Sequence, residues 1–245
     1  MSQRVQQQPA YVLHQRAFRD SSQILDVLSA DHGKLSLVAR GSRSAKSRLA
    51  GLLRPFQPLK LSWSIRSDLG TLTGAEIDGR LQSLLGDTLM AGYYLNELLL
   101  NLLHRHDPQP EVFVAYEQTL AAMAKGHAVA ACLRHFELEL LRLIGYALNL
   151  ETDAVSDAPL DPQAHYEFRP AQGAVAVLRE DGAAVFPGTT LLAIGEENFA
   201  DDDVLREAGR LLRQVIHYHL DGRELKTRKV LKDLHRGRLG VPPNE

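Results

Sequence analysis

The sequence predicts an α+β protein: a small five-stranded barrel at the N-terminus, then a mainly α-helical domain that carries a small two-stranded β element. Three observations carry that reading. From Tyr11 to about Asp78 the chain is a series of short runs rich in branched residues, broken by polar turns. At about Arg80 the apolar residues change to three- and four-residue spacing. Between Tyr166 and Leu178, two short runs joined across Gln172-Gly173 return to a strand pattern. The predicted boundaries are 1–79 for the barrel and 80–245 for the helical domain, the latter with an acidic insert over about 151–200 and a basic C-terminal helix.

In order along the chain, Tyr11-Val12-Leu13, Gln23 to Leu28 and Lys34 to Ala39 are the first three strands. Asp31-His32-Gly33 is a turn signal between two of them, because Gly33 can take the positive φ of a tight hairpin. Leu59 to Ile65 alternates as a fourth strand, and Leu69 to Ile77, with Gly70 and Gly74, is the fifth. A five-stranded barrel of this size is the OB-fold architecture, whose open face and loops often hold single-stranded nucleic acid. The helical part begins with one long helix from about Arg80 to Asp107-Pro108, where proline stops it. Val112 to Lys125 and Ala128 to Leu148 follow, the latter with Leu133, Phe136-Glu137, Leu140-Leu141 and Ile144 as its inner face. Asp201 to Asp203 read as the N-terminal cap of a helix over Val204 to Leu220 that Gly222 closes. Leu225 to Leu234 is a basic helix with Lys226, Arg228, Lys229 and Lys232.

Charge is unevenly spread. The whole chain has a formal net charge of -2. Yet Val38 to Pro58, VARGSRSAKSRLAGLLRPFQP, holds Arg40, Arg43, Lys46, Arg48 and Arg54 with no Asp or Glu. From Met1 to Ile65 there are ten cations against three aspartates, a local charge of +7. Small residues separate the loop cations, so their side chains can follow a phosphate backbone, and nucleic acid is the first reading. A solvated surface loop is the alternative. The aromatic platform expected of such a barrel is thin: of Phe18, Phe56 and Trp63, the last reads as core and Phe56, beside the loop, as the base-stacking residue. From Glu151 to Glu207 the balance reverses, with thirteen Asp and Glu against Arg169, Arg179 and Arg206, so this part should not meet DNA directly.

Composition excludes other classes. At 245 residues with 44% hydrophobic and 24% charged, the chain is ordinary globular material. Met1 to Pro9 is polar and glutamine-rich and lacks the apolar core of a secretory signal, and no apolar run approaches the ~20 residues of a membrane helix. A cytoplasmic location without membrane contact follows as the expectation. The single Cys132 can form no internal disulfide and reads as core. There is no phosphate-binding GxxxxGK loop, no GxGxxG, no GxSxG and no HExxH, so no enzyme and no nucleotide cofactor are expected. His104/His106 and His217/His219 are pairs two residues apart, which a helix turns about 200° away from each other, so neither chelates one ion.

With these residues in view, the chain resembles the RecO family of bacterial DNA repair and recombination mediators over nearly its whole length. Four stretches carry the resemblance: Tyr11 to Pro58, with the course VLHxRxxxxxSxxLDVLSxxxGxLxLVARGxRS and its ending Leu53 to Phe56; Tyr94-Leu95-Asn96-Glu97-Leu98-Leu99; Leu133 to Leu141 followed by Gly145-Tyr146; and Gly222 to Arg228. Each motif alone is modest, and four in order are specific. The resemblance implies a protein that binds single- and double-stranded DNA and anneals complementary strands. It would engage the C-terminal tail of single-stranded DNA-binding protein, act with RecR to load RecA, and join the nucleoid during repair. Many family members hold zinc through four cysteines in the region that here runs from Leu150 to Leu192. This chain has none of those cysteines and resembles the zinc-free branch. The family's basic stretch falls on Arg40, Arg43, Lys46 and Arg48, with Lys34, Arg54 and Phe56 as neighbouring candidates and Lys226, Arg228 and Lys229 as a second DNA contact. Arg134, with Leu138 and Arg142 one and two turns along, is the candidate for the partner's tail, unless Arg134 pairs instead with Glu137. The alternatives are an OB-fold RNA-binding or translation-associated module and a protein scaffold with a merely solvated loop.

Overall fold

The computed structural model describes residues 3–44, 46–49, 51–65, 68–179 and 181–227. Five strands, β1 (Gln3–Phe18), β2 (Ser22–Ser29), β3 (Gly33–Ala39), β4 (Leu59–Ile65) and β5 (Leu69–Ile77), close into a barrel in the order β1-β2-β3-β5-β4. Closure depends on β1, whose first part pairs with β4 (Gln3↔Ile65 to Ala10↔Leu59) and whose second pairs with β2 (Ala10↔Ser29 to Phe18↔Ser22). Two irregularities interrupt this long strand, between Val5 and Gln8 where it pairs with β4 and between Val12 and His14 where it pairs with β2. β3 and β5 run parallel, Ser36–Val38 against Leu69–Thr71. A Cβ on Gly70 would lie 2.7 Å from Leu37 Cδ2, so glycine is what permits that approach. Inside sit Val12, Leu25, Val27, Leu35, Leu37, Leu59, Leu61 and Trp63.

Two helices lie on this barrel, α1 (Asp87–Leu102) and α2 (Pro110–Ala124). A buried polar chain fixes them: Asn96 Nδ2 donates to the Leu13 carbonyl at 2.8 Å, and Tyr116 Oη donates to Asn96 Oδ1 at 2.6 Å. Tyr11 Oη donates to Glu117 Oε1 at 2.9 Å. The chain leaving α1 crosses the β2–β3 hairpin so closely that a Cβ on Gly33 would stand 1.9 Å from the Asp107 carbonyl oxygen. Gly33, at φ 63, thus meets two demands, one of conformation and one of space. The close-packed unit runs over Met1–Gly126 and takes in Leu225 to Thr227 among the described residues; His127–Glu224 form the second unit. The predicted boundary at 79/80 marks the end of the barrel strands, while packing on the barrel continues through α2.

The second unit holds α3 (Val129–Leu143), a sheet of β6 (His165–Arg169), β7 (Gly173–Val177) and β8 (Val185–Pro187), α4 (Gly188–Gly195) and α5 (Asp202–His219). Its sheet has three strands in the order β7-β6-β8, one more than predicted, because β8 is only three residues long and shows no alternation in sequence. The eight-residue α4 is also additional. Helix ends differ too. α1 starts at Asp87 instead of about Arg80, after Gly86 at φ 55, and α3 stops at Leu143 rather than Leu148. Gly145 ends α3 in a left-handed cap, its N–H on the Arg142 carbonyl at 3.2 Å and Tyr146 N–H on that of Leu141 at 2.7 Å. The acidic triplet caps as predicted: the Asp201 carboxylate accepts from Asp203 and Val204 N–H. The basic helix predicted over Leu225 to Leu234 is described only to Thr227, and Arg228, Lys229 and Lys232 lie outside the described residues.

Candidate nucleic-acid interface

The basic loop joins β3 to β4 and is a run of short turns, with Ser44 N–H on the Gly41 carbonyl and Ser47 N–H on that of Ser44. Its entrance is fixed by buried Ser42, whose Oγ donates to the Ala39 carbonyl at 2.8 Å. Its exit is fixed by Leu53 and Phe56, both buried. Arg40, just before the first anchor, and Arg43, Lys46, Arg48 and Arg54 after it are all exposed. The barrel's carboxylate contacts lie elsewhere, Asp26 with His14 and Asp78 with Lys60, so these five charges face solvent uncompensated by a carboxylate among the described residues. Unpaired cations of one sign on a fixed loop attract a polyanion at long range.

Pairing across the sheet extends this patch beyond the loop. Arg43 N–H donates to the Ser21 carbonyl at 2.9 Å, which ties the loop to the β1–β2 turn. Arg16 pairs with Ile24 and Ile24 with Val38; Phe18 pairs with Ser22 next to the β3 end that leads to Arg40. Leu25, Leu37 and Ala39 point into the barrel, so the alternate row of Arg16, Ile24 and Val38 is on its outside. Arg16 and Arg19 are exposed, Phe18 is half-buried, and the Arg19 guanidinium lies 5.1 Å over the Phe18 ring. Sequence reasoning missed Arg16 and Arg19 as members of this patch; the signal was their place beside a turn that ends against the loop.

Two predicted contacts are corrected. Phe56 is only 4% exposed: its ring is edge-on to Tyr93 at 5.2 Å and covers Gly92, so it is a core residue sealing the loop's end and offers no face to a base. Phe18 is the aromatic that remains at the patch, while Trp63 is core, as expected. Lys34 turns its ammonium onto the Leu100 carbonyl at the end of α1, at 2.7 Å. Burial lowers its pKa, and Arg105 pushes the same way, so it fastens α1 to the barrel and is not free to meet phosphate. Lys226 is exposed; Arg228 and Lys229 lie outside the described residues.

In the second unit the three tail-contact candidates are placed very differently. Arg134 is turned inward, its Nη2 at 2.8 Å from Glu137 Oε1, with side chains 13% and 0% exposed. Its guanidinium also lies over Gly209 of α5, where a Cβ would be 2.5 Å from Nη1. That is the intrahelical pairing weighed from sequence, and it makes Arg134 a packing element between α3 and α5. Leu138 is partly exposed and Arg142 exposed, the latter held by Glu139 through two 2.7 Å hydrogen bonds. The drift follows from the helix: positions four apart rotate about 40°, so the row leaves the buried face as it ascends.

No group of three His, Cys, Asp or Glu that could hold a metal occurs among the described residues. His219 is stacked on Tyr146 with centroids 3.9 Å apart. The four-cysteine zinc site of the wider family does not fit a chain whose one cysteine, Cys132, is on α3. Within Leu150 to Leu192 the Asp153 carboxylate ties its own turn to β7. Asp153 accepts from the N–H groups of Val155, Ser156 and Ala176 at 2.9, 2.7 and 2.7 Å, and these bonds hold its pKa down at about 2.

The barrel order, with β3 parallel to β5 and β1 closing on β4, defines the chain as an OB-type barrel protein with helical companions. Its family is narrower. Residues 1–79 match "Recombination protein O N terminal" and residues 84–229 match "Recombination protein O C terminal". DNA repair protein RecO of Dechloromonas aromatica is 44% identical over 236 residues, covering 94% of this chain and 97% of that relative. The RecO proteins of Ralstonia nicotianae (41% over 235 residues, 95% and 86% covered) and Coxiella burnetii strain RSA 493 (40% over 231 residues, 94% and 100%) are similar in the same way. The chain belongs to the RecO family, and with it to DNA repair and recombination. No helix among the described residues is long and apolar enough to cross a membrane.

Proposed function

We propose that this chain is a recombination mediator without enzymatic activity, which binds single- and double-stranded DNA through the basic loop and the adjoining end of β1–β3. The observation that carries the proposal is the set of five exposed loop cations that no carboxylate neutralises among the described residues. Annealing follows from electrostatics: the patch offsets the repulsion of two strands and raises their local concentration, and base complementarity does the rest without fuel. With RecR the protein would load RecA onto DNA coated by single-stranded DNA-binding protein, in the cytoplasm and at the nucleoid during repair. Contact with that protein's acidic tail would fall on α3 at Leu138 and Arg142, with Arg134 shaping the surface from beneath.

The test is annealing of complementary oligonucleotides precoated with single-stranded DNA-binding protein, with and without its tail, without ATP. Annealing that needs the tail supports both surfaces. Absence of annealing under any salt condition removes the mediator reading, and preference for RNA over a matched DNA strand would move the chain to the RNA-binding alternative.

A further inference from the structure

We infer that Tyr146, stacked on His219 where α3 and α5 end, is a base-stacking site for unpaired nucleic acid in the second unit. The inference rests on the nucleic-acid reading above and adds a contact to that of the basic loop. Three rings meet at these helix ends. Tyr146 and His219 are nearly parallel, with centroids 3.9 Å and planes 18° apart, and the Tyr218 ring stands edge-on to His219 at 5.3 Å. Burial lowers the His219 pKa, so at neutral pH its ring stacks as an uncharged aromatic. The backbone holds the pair in place. Tyr146 follows the left-handed cap at Gly145, its N–H on the Leu141 carbonyl at 2.7 Å, and Gly222 closes the end of α5 with its N–H on the His217 carbonyl at 3.0 Å.

Clustered rings are usually core, yet Tyr146 is 45% and Tyr218 51% exposed. Gly145 and Ala147, the chain neighbours of Tyr146, are exposed too and carry too little side chain to shield it. A ring backed on one face by a parallel ring and flanked by small residues can take a planar group on its other face, and every nucleobase is planar. Charge narrows the occupant further. Arg142, one turn before Tyr146, is engaged by Glu139. Arg223, in the turn after α5, is exposed and lies 3.9 Å from the equally exposed Asp221, a contact that holds an arginine weakly and lets it turn to a phosphate. One stacking face with one cation suits a nucleotide whose base is unpaired, and a duplex keeps its base faces to itself. The acids of this unit crowd between Glu151 and Glu207, and Tyr146, Tyr218, His219 and Arg223 all lie outside that stretch.

A stack that merely seals two helix ends would affect stability alone, whereas a stacking site also affects strand binding, and only that of unpaired strands. In anisotropy titrations of a labelled oligothymidine, Y146A should weaken binding about fivefold or more. The salt slope should stay at the wild-type value, because no phosphate contact is removed, and duplex binding should stay within about twofold. Y146F, which keeps the ring, should bind as the wild type does. Y146W gives a reading independent of affinity: Trp63 is fully buried, so quenching of the added, exposed indole as the strand saturates reports a base on that ring. Because Y146W also keeps a ring in the stack, it decides the matter should Y146A not fold. Wild-type single-strand affinity in folded Y146A, an equal loss on single strand and duplex, or Y146W emission unmoved by a saturating strand overturns the inference and leaves the rings to a protein partner. Absence of nucleic-acid binding by the wild type would overturn the parent reading instead.

Discussion

Replacing Arg40, Arg43 and Lys46 together by Gln should alter the salt dependence of DNA binding by a calculable amount. Each phosphate neutralised on duplex DNA contributes about 0.9 to the slope of log K against log salt. If the five exposed loop cations each meet one phosphate, the loop supplies a slope of about -4.5, and the triple variant keeps about -1.8. A rise from ~50 to ~200 mM salt is about 0.6 logarithmic units, so the loop's share costs the wild type roughly 500-fold in affinity and the variant about 12-fold. The fold should survive, because the loop is anchored by Ser42, Leu53 and Phe56 and these three cations are exposed. Anisotropy with a labelled duplex of about 20 base pairs, repeated at four salt concentrations, reads the slope directly. A folded triple variant with the wild-type slope would show that the loop is only a solvated surface, however well it is shaped.

Three further outcomes follow from other contacts. Phe18→Ala should weaken single-strand binding about fivefold or more, since stacking is worth ~1–3 kcal/mol per base, and leave duplex binding within about twofold; equal losses on both would rule out stacking. Asn96→Ala strands the Leu13 carbonyl and the Tyr116 hydroxyl, about 3 kcal/mol in all, while Tyr116→Phe costs about 1 kcal/mol; the double variant should lose less than the sum in urea unfolding, and strict additivity would mean that their shared bond carries nothing. Asp153, with its folded pKa lowered to about 2 from 3.8, contributes stability that is complete above pH ~4 and is lost as pH falls through about 2. Asp153→Asn should therefore be destabilised at neutral pH, with its deficit against wild type shrinking between pH ~4 and ~2; a pH-independent deficit would show that the carboxylate's charge is not what the three N–H groups bind.

The barrel was legible because its inner residues alternate and its turns carry their own signals, Gly33 above all. The start of β1 was not: Gln3 to Gln8 is polar, and only pairing with β4 makes it a strand. Phe56 shows a different limit. Its position beside five cations suggested a base contact, but proximity in sequence does not say which way a ring points. Gly92 supplies the answer, since a Cβ there would meet Phe56 at 2.9 Å, and the missing side chain makes room for the ring against α1. The charge of Lys34 is plain in sequence, but the Leu100 carbonyl that takes up its ammonium comes from a helix end 66 residues away. Arg134 was open between two readings, and the buried Glu137 beside it decides for the interior.

A formal charge of -2 conceals two opposite ways of spending charge. In the second unit many acids are spent locally. Asp201 caps α5, Glu167 is held by Arg169 and Arg179, Glu207 by Arg210, and Glu197 contacts His135 at 2.6 Å. Arg210 goes further, donating to the Gly182, Ala183 and Val185 carbonyls and lying 4.0 Å over the Phe186 ring. Charges neutralised this way shape a fold and project little field beyond a Debye length of ~10 Å. The loop cations do the opposite: fixed by backbone and apolar anchors rather than by carboxylates, they keep their full charge for an external partner. Glu97 of α1 is handled as the second unit's acids are, its carboxylate accepting from the Lys226 and Thr227 N–H groups and the Thr227 hydroxyl and so projecting little field of its own.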